Sequence, residues 1–245
     1  MRPTIVLVHG AFAESASWGR VIDLLLRAGN PVIAAAAPLR GLASDAAAVG
    51  DLVRTIDGPV VLVGHSYGGA VISNVDAGAG AIAGLVYVAG FAPAPGESTA
   101  TLTGLYPGST LADSLRPVPL GDGTTDLYIS PEHFHAQFAA DLPEAQAARM
   151  AATQRPVTQE ALSEPSGARP LWKERPAWFL FGTEDRSIPA AAQRFMAERA
   201  GALGTIEISG ASHAVPVSHP EATAQLILEA ARRLWRDTAL GVAAA

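Results

Sequence analysis

Ser66, Asp185 and His213 are the side chains of this sequence whose types and settings suit nucleophilic chemistry. Ser66 lies in Gly64-His65-Ser66-Tyr67-Gly68, a full match to G-x-S-x-G, which describes a sharp strand-to-helix turn that lifts one hydroxyl above a sheet. The flanking glycines have a steric reason: a side chain there would collide with the crowded turn or forbid its backbone angles. A serine hydroxyl is a poor nucleophile until a base takes its proton, and imidazole titrates in the right range. Among the six histidines, His213 follows the last predicted strand, where a loop can reach the turn. His65 adjoins Ser66, so its side chain points elsewhere and packs. His9 ends the first predicted strand and is expected to bond loop backbone. His133 and His135 fall on different faces of a helix and make a poor metal pair. His219, before Pro220, reads as a helix cap. The base in turn needs a carboxylate to hold its tautomer. Asp185 is preferred for this, with Glu184 the rival, because adjacent residues point in opposite directions.

An oxyanion formed at Ser66 needs two backbone donors. The Tyr67 amide is one; the loop after the first strand supplies the other, from Ala11 or alternatively Phe12. The five-residue turn pattern also arises in turns without chemistry. Three residues in the order serine, aspartate, histidine, each past a predicted strand's carboxyl end, are far more specific.

The elements around these residues follow from periodicity. Apolar runs at 5–8, 60–63 and 82–89 read as buried strands, 31–36 as a short, weak, alanine-rich strand, and 177–182 and 205–209 as the last two strands. Between them lie helical patterns, such as Val21, Leu24, Leu25 and Ala28 ending at Gly29-Asn30, a helix capped by Ser44 or Asp45, and another over Ile188–Arg199. Pro220 opens a last helix, and Gly241–Ala245 is expected to fray. Alternating strands and helices predict an α/β fold with a mostly parallel sheet of about six strands flanked by helices. Active residues on such a sheet sit beyond its carboxyl edge. The alternation stops over 91–175, a stretch rich in proline and short helical patterns. It is read as a helical lid inserted into a core of 1–90 and 176–245. Within it, Ser130-Pro131-Glu132 starts one helix, with Phe134 and Phe138 on a shared face, and 141–152 forms another.

Bulk properties narrow the function. The chain of 245 residues is 49% hydrophobic and 16% charged, as expected of one large folded domain. Its net charge of −6 disfavours nucleic acid, and the absence of cysteine excludes disulfides and thiolate metal sites. The apolar run at the N-terminus is too short for a signal peptide or membrane span, so a cytoplasmic protein is the default expectation. Gly78-Ala79-Gly80-Ala81-Ile82-Ala83 fits a loose dinucleotide fingerprint but precedes a strand, where it cannot present a helix N-terminus to pyrophosphate.

Together these residues resemble the α/β-hydrolase superfamily. More narrowly, His9-Gly10-Ala11 with Ser17-Trp18, the Gly64–Gly69 turn, and Thr183-Glu184-Asp185 with Ile188-Pro189 resemble its compact branch of plant methylesterases, hydroxynitrile lyases and bacterial, pyrethroid-type carboxylesterases. The resemblance implies no metal, no organic cofactor, and a lid of short helices over an apolar pocket. The lyases carry threonine and lysine where this chain has Gly10 and Ala214, which argues against lyase chemistry. The expected activity is hydrolysis of a small to medium, largely apolar carboxylic ester. Thioester or lactone hydrolysis and perhydrolysis with the same residues are the alternatives, as is a non-catalytic ligand-binding protein. The expected partners are a small-molecule ester and water, and the expected pocket residues are Phe12, Tyr67, Phe91, Phe134, Phe138 and Val215.

Overall fold

A computed structural model describes residues 1–239; the predicted fraying at Gly241–Ala245 lies outside them. The strands are β1 (Thr4–Val8), β2 (Val32–Ala35), β3 (Val60–His65), β4 (Ile82–Val88), β5 (Leu115–Pro119), β6 (Thr125–Ile129), β7 (Val157–Thr158), β8 (Ala177–Gly182) and β9 (Gly204–Ile208). Six of them form one sheet in the order β2-β1-β3-β4-β8-β9, and every pairing in it is parallel. The expected fold class is therefore found, with a fully parallel sheet.

The central strands bury both faces, which is why their sequences are nearly continuous apolar runs. Alternate residues divide between two cores. Val6, Val8, Leu62, Leu85 and Phe179 face one side, packed with the segment 91–175. Ile5, Leu7, Val61, Val86 and Trp178 face the other, against Trp18, Val21 and Leu25 of the first helical layer and Ile227 and Ala230 of helix Pro220–Ala239. Gly29, at φ 78°, ends helix Gly19–Arg27 as its position predicts. The second helix starts at Leu42, ahead of the expected cap at Ser44 or Asp45. Asp45 instead sits in its first turn, accepting from the Arg40 amide and the Tyr67 hydroxyl.

The segment 91–175 is only partly as expected. Helices Pro131–Phe138 and Glu144–Thr153 are present, the first with proline in its first turn. Before and after them in the chain, β5, β6 and β7 form a small antiparallel sheet that a purely helical reading omits. Pro117 and Pro119 argue against a strand in sequence. They are accommodated because β5 is an edge strand, where a missing amide costs no ladder bond. Among the described residues no helix is long and apolar enough to cross a membrane.

Candidate active site

The carboxyl ends of β3, β8 and β9 bring the candidate residues to one edge of the sheet. Ser66 follows β3 directly and has φ 54° and ψ −124°, a conformation disfavoured for any residue with a side chain. Neighbouring backbone holds it there. The Ser66 amide donates to the Ala89 carbonyl at 3.0 Å, and the Ser66 carbonyl accepts from Phe91 at 3.1 Å and Gly69 at 2.9 Å. The flanking glycines are sterically fixed, as predicted. A Cβ on Gly64 would lie 2.4 Å from the Gly68 carbonyl oxygen, and one on Gly68 would lie 2.4 Å from that of Val8.

Asp185 and His213 meet on loops past β8 and β9. His213 Nδ1 and Asp185 Oδ2 are 2.7 Å apart, with both side chains buried. The rest of the carboxylate is fully engaged. Oδ1 accepts from the Ser187 and Ile188 amides at 2.8 Å each, and Oδ2 also accepts from Gln193 Nε2 at 2.9 Å. Such a carboxylate is held in one orientation and has no free lone pair directed at solvent. Glu184, the rival, makes no bond to His213; its amide donates to the Ala211 carbonyl. The bond at Nδ1 leaves Nε2 as the free ring nitrogen. No hydrogen bond joins it to Ser66 Oγ, although both residues line the same cavity.

The other histidines behave as structural groups. His9 Nε2 accepts from the Ala37 amide at 3.1 Å, so its Nδ1 carries the proton and donates to the Gly10 carbonyl at 2.9 Å. Burial lowers its pKa below the ordinary histidine value. His65 Nε2 donates to the His213 carbonyl at 3.0 Å, and its ring lies 4.9 Å from that of His213. Burial, reinforced by the neighbouring imidazole, holds the His65 pKa well below the ordinary value. It is therefore a neutral brace under the loop that carries His213. His135 bonds the Leu142 carbonyl, and His219 bonds Ser218.

The two alternatives for the second oxyanion donor differ in what they contact. The Phe12 amide is already committed to the Arg155 carbonyl at 3.0 Å. The Ala11 amide has no acceptor among the described residues, and Ala11 lines the cavity. Tyr67 is the first residue of its helix, so its amide has no intrahelical acceptor.

The cavity measures about 190 Å³ and is largely apolar. Phe12, Tyr67, Phe91 and Phe138, four of the six residues named from sequence, line it. Phe134 and Val215 do not. Phe134 stacks behind Phe138, ring centroids 5.0 Å apart, and supports it from within the helix. Val215 is turned to the opposite face of the sheet, in the core with Trp18 and Ile5. It opens a short helix at Val215–Ser218.

Two glutamines were not singled out in sequence. Gln193 bridges Asp185 Oδ2 and the Ile188 carbonyl. Gln137, on helix Pro131–Phe138, donates to the Arg186 carbonyl and accepts from Thr110 and Ser114. A usable signal existed for Gln193: it falls among Ala192, Met196 and Ala197 on the buried face of its helix, where an amide needs partners. Thr99, Thr103, Leu111 and Leu162 also line the cavity, and nothing in local sequence marks them.

A pyrethroid hydrolase from Sphingobium wenxiniae is 29% identical over 247 residues, covering 92% of this chain and 86% of that protein. The crystal structure of a pyrethroid hydrolase superposes with a TM-score of 0.74 at 25% identity, covering 94% of this chain and 98% of the other. That of a polyneuridine aldehyde esterase superposes with a TM-score of 0.79 at 20% identity, covering 94% and 99%. The sequence model of the alpha/beta hydrolase family matches residues 5–226, and the chain belongs to that family.

Proposed function

We propose that this chain hydrolyses uncharged, largely apolar carboxylic esters through an acyl-enzyme on Ser66. The observation that carries this reading is a single arrangement. An imidazole, bonded through Nδ1 to a fully hydrogen-bonded buried carboxylate, shares one apolar cavity with the hydroxyl of a strained strand-to-helix turn.

In this reading Ser66 Oγ attacks the ester carbonyl carbon while His213 Nε2 takes its proton. The carbonyl oxygen becomes an anion and accepts from the Ala11 and Tyr67 amides; each such donor contributes roughly 3–4 kcal/mol to lowering the barrier. When the C–O bond breaks, His213 returns the proton to the departing alcohol oxygen. Water then repeats the sequence on the acyl-Ser66 ester and releases the acid. Asp185 fixes the tautomer and stabilises the imidazolium in both halves. Proton transfer requires the Ser66–His213 hydrogen bond to form once substrate is in place. No carboxylate, ammonium or guanidinium lines the cavity, so a charged substrate would lose its hydration without a compensating partner. The hydrolase and esterase names of the relatives support the same class.

The test is Ser66→Ala, which should abolish hydrolysis of short p-nitrophenyl esters, together with a fluorophosphonate probe, which should label the wild-type chain at Ser66 alone. Wild-type turnover in Ser66→Ala would end the proposal. Matched ester, thioester and lactone substrates, compared by kcat/KM, identify the preferred bond.

A further inference from the structure

The active-site cavity has a neighbour. A groove of about 470 Å³ lies between the loop after β1 and helix Glu144–Thr153. It shares one residue with the Ser66 cavity: Ala11 lines the cavity, Ala13 lines the groove, and Phe12 lines both. Phe12 is therefore the wall between them. It is held in place by unusual means. Its backbone lies in the left-handed region at φ 59°, its amide is bonded to the Arg155 carbonyl, and it is 4% exposed. A bulky non-glycine residue at positive φ is uncommon and persists only where its surroundings enforce it.

The two spaces differ in the loops that line them. His213 must deliver its proton to the alcohol oxygen, so the alcohol half leaves on the His213 side. Pro216 and Val217, just past His213, form part of the groove. Thr99, Thr103, Leu111 and Leu162, from the segment 91–175, line the cavity and not the groove. They lie on the other side of Phe12 from the groove, the side left for the acyl half in this reading. The groove is mixed in character, with Met150 and Val217 beside Phe12 and with Glu14, Gln146 and Arg149.

We propose that Phe12 is a gate on the leaving-group side, and that the groove beyond it receives the alcohol half of esters whose alcohol is too large for the cavity. The substrate class is an ester of a bulky, amphipathic alcohol with a small or medium acyl group. Phe12 is then a specificity-determining residue: its ring sets how large an alcohol Ser66 can serve. The inference rests on the hydrolase reading above and adds to it a direction for the substrate.

Three matched esters separate the two ends: ethyl acetate as reference, 2-naphthylmethyl acetate with bulk on the alcohol, and ethyl 2-naphthylacetate with bulk on the acyl group. In Phe12→Ala the kcat/KM ratio of naphthylmethyl acetate to ethyl acetate should rise roughly 10-fold, in the range of steric discrimination by pocket walls. The ratio for the acyl-side ester should not move. Met150→Trp, added to Phe12→Ala, puts an indole into the groove and should cancel the gain. Phe12→Leu should show a smaller shift in the same direction and serves if the alanine variant folds poorly. An unmoved alcohol ratio, an equal gain at the acyl end, or a gain that survives Met150→Trp overturns the gate. Labelling of Ser66 by a fluorophosphonate distinguishes the two failures. Normal labelling with unmoved ratios refutes the gate alone, whereas no labelling refutes the hydrolase reading and this one with it.

Discussion

Gln193→Leu is the substitution that best tests how the acid is held. The leucine keeps nearly the volume of the glutamine but removes the Nε2 donor, which is shared between Asp185 Oδ2 and the Ile188 carbonyl at 2.9 Å each. Oδ2 is the oxygen that also accepts from His213, so the change strips one of its two partners. A hydrogen bond to a buried charged group contributes about 1.5–3 kcal/mol, and the orphaned Ile188 carbonyl adds to the loss. A destabilisation of about 2–3 kcal/mol, at roughly 2–4 °C per kcal/mol for a domain of this size, lowers Tm by about 4–12 °C. The catalytic effect is separate. Gln193 does not line the cavity, so KM should stay put. The carboxylate, now free to rotate about the bonds that hold Oδ1, should hold the imidazole less well, and kcat should fall about 10-fold, which corresponds to ~1.4 kcal/mol of barrier. Thermal unfolding and steady-state kinetics on a p-nitrophenyl ester read the two effects independently. An unchanged kcat would refute the argument, for it would mean that the Ser187 and Ile188 amides alone keep Asp185 in place.

Further predictions follow the same logic. Gly68→Ala places a Cβ 2.4 Å from the Val8 carbonyl oxygen and 2.8 Å from that of His9, and backbone cannot rotate aside. The turn must retreat from β1, carrying Ser66 with it, and kcat/KM should fall about 10²-fold, as for a misplacement on the order of 1 Å; wild-type activity would contradict this. His9 and His65 are neutral in the fold with pKa values below the ordinary 6.5. Only the unfolded chain therefore gains these protons as pH falls through 6.5, and stability should drop below that point by up to about 2.7 kcal/mol per pH unit. Tm measured against pH checks the sign, and His65→Gln should make the acid limb shallower. Glu97 is held below the usual carboxylate value of 4.5 by its two bonds to Arg199, at 2.8 and 2.6 Å. Its contribution is present above pH 4.5 and is lost as the pH falls through its depressed folded value. Glu97→Gln should lower Tm at pH 7 and converge on wild type in acid.

Much of this architecture was legible because it is local. The strands before Ser66 and Asp185 are apolar runs, the edge strand before His213 alternates Ile206 and Ile208 with polar residues, and G-x-S-x-G encodes its own turn. The order of the residues along the chain then placed them at one sheet edge without any knowledge of contacts. What escaped was what only the tertiary arrangement decides. The strand at Leu115–Pro119 contains two prolines that local rules count against it, yet its position at an edge makes them harmless. Val215, named from sequence as a pocket residue, opens a short helix and packs in the far core. The bond from the Phe12 amide to the carbonyl of Arg155, far along the chain, likewise has no local signal.

That last contact has relatives. The segment 91–175 is tied to the loop after β1 through Arg155, to the Asp185 loop through Gln137, and to the His213 loop through Ser212, whose hydroxyl bonds Asp141 and the Phe138 carbonyl. The covering segment therefore acts as a jig for all three loops. A proteolytic nick that loosened it would leave the parallel sheet standing and its serine exposed, yet silence the protein. Loss of turnover would then precede loss of secondary structure.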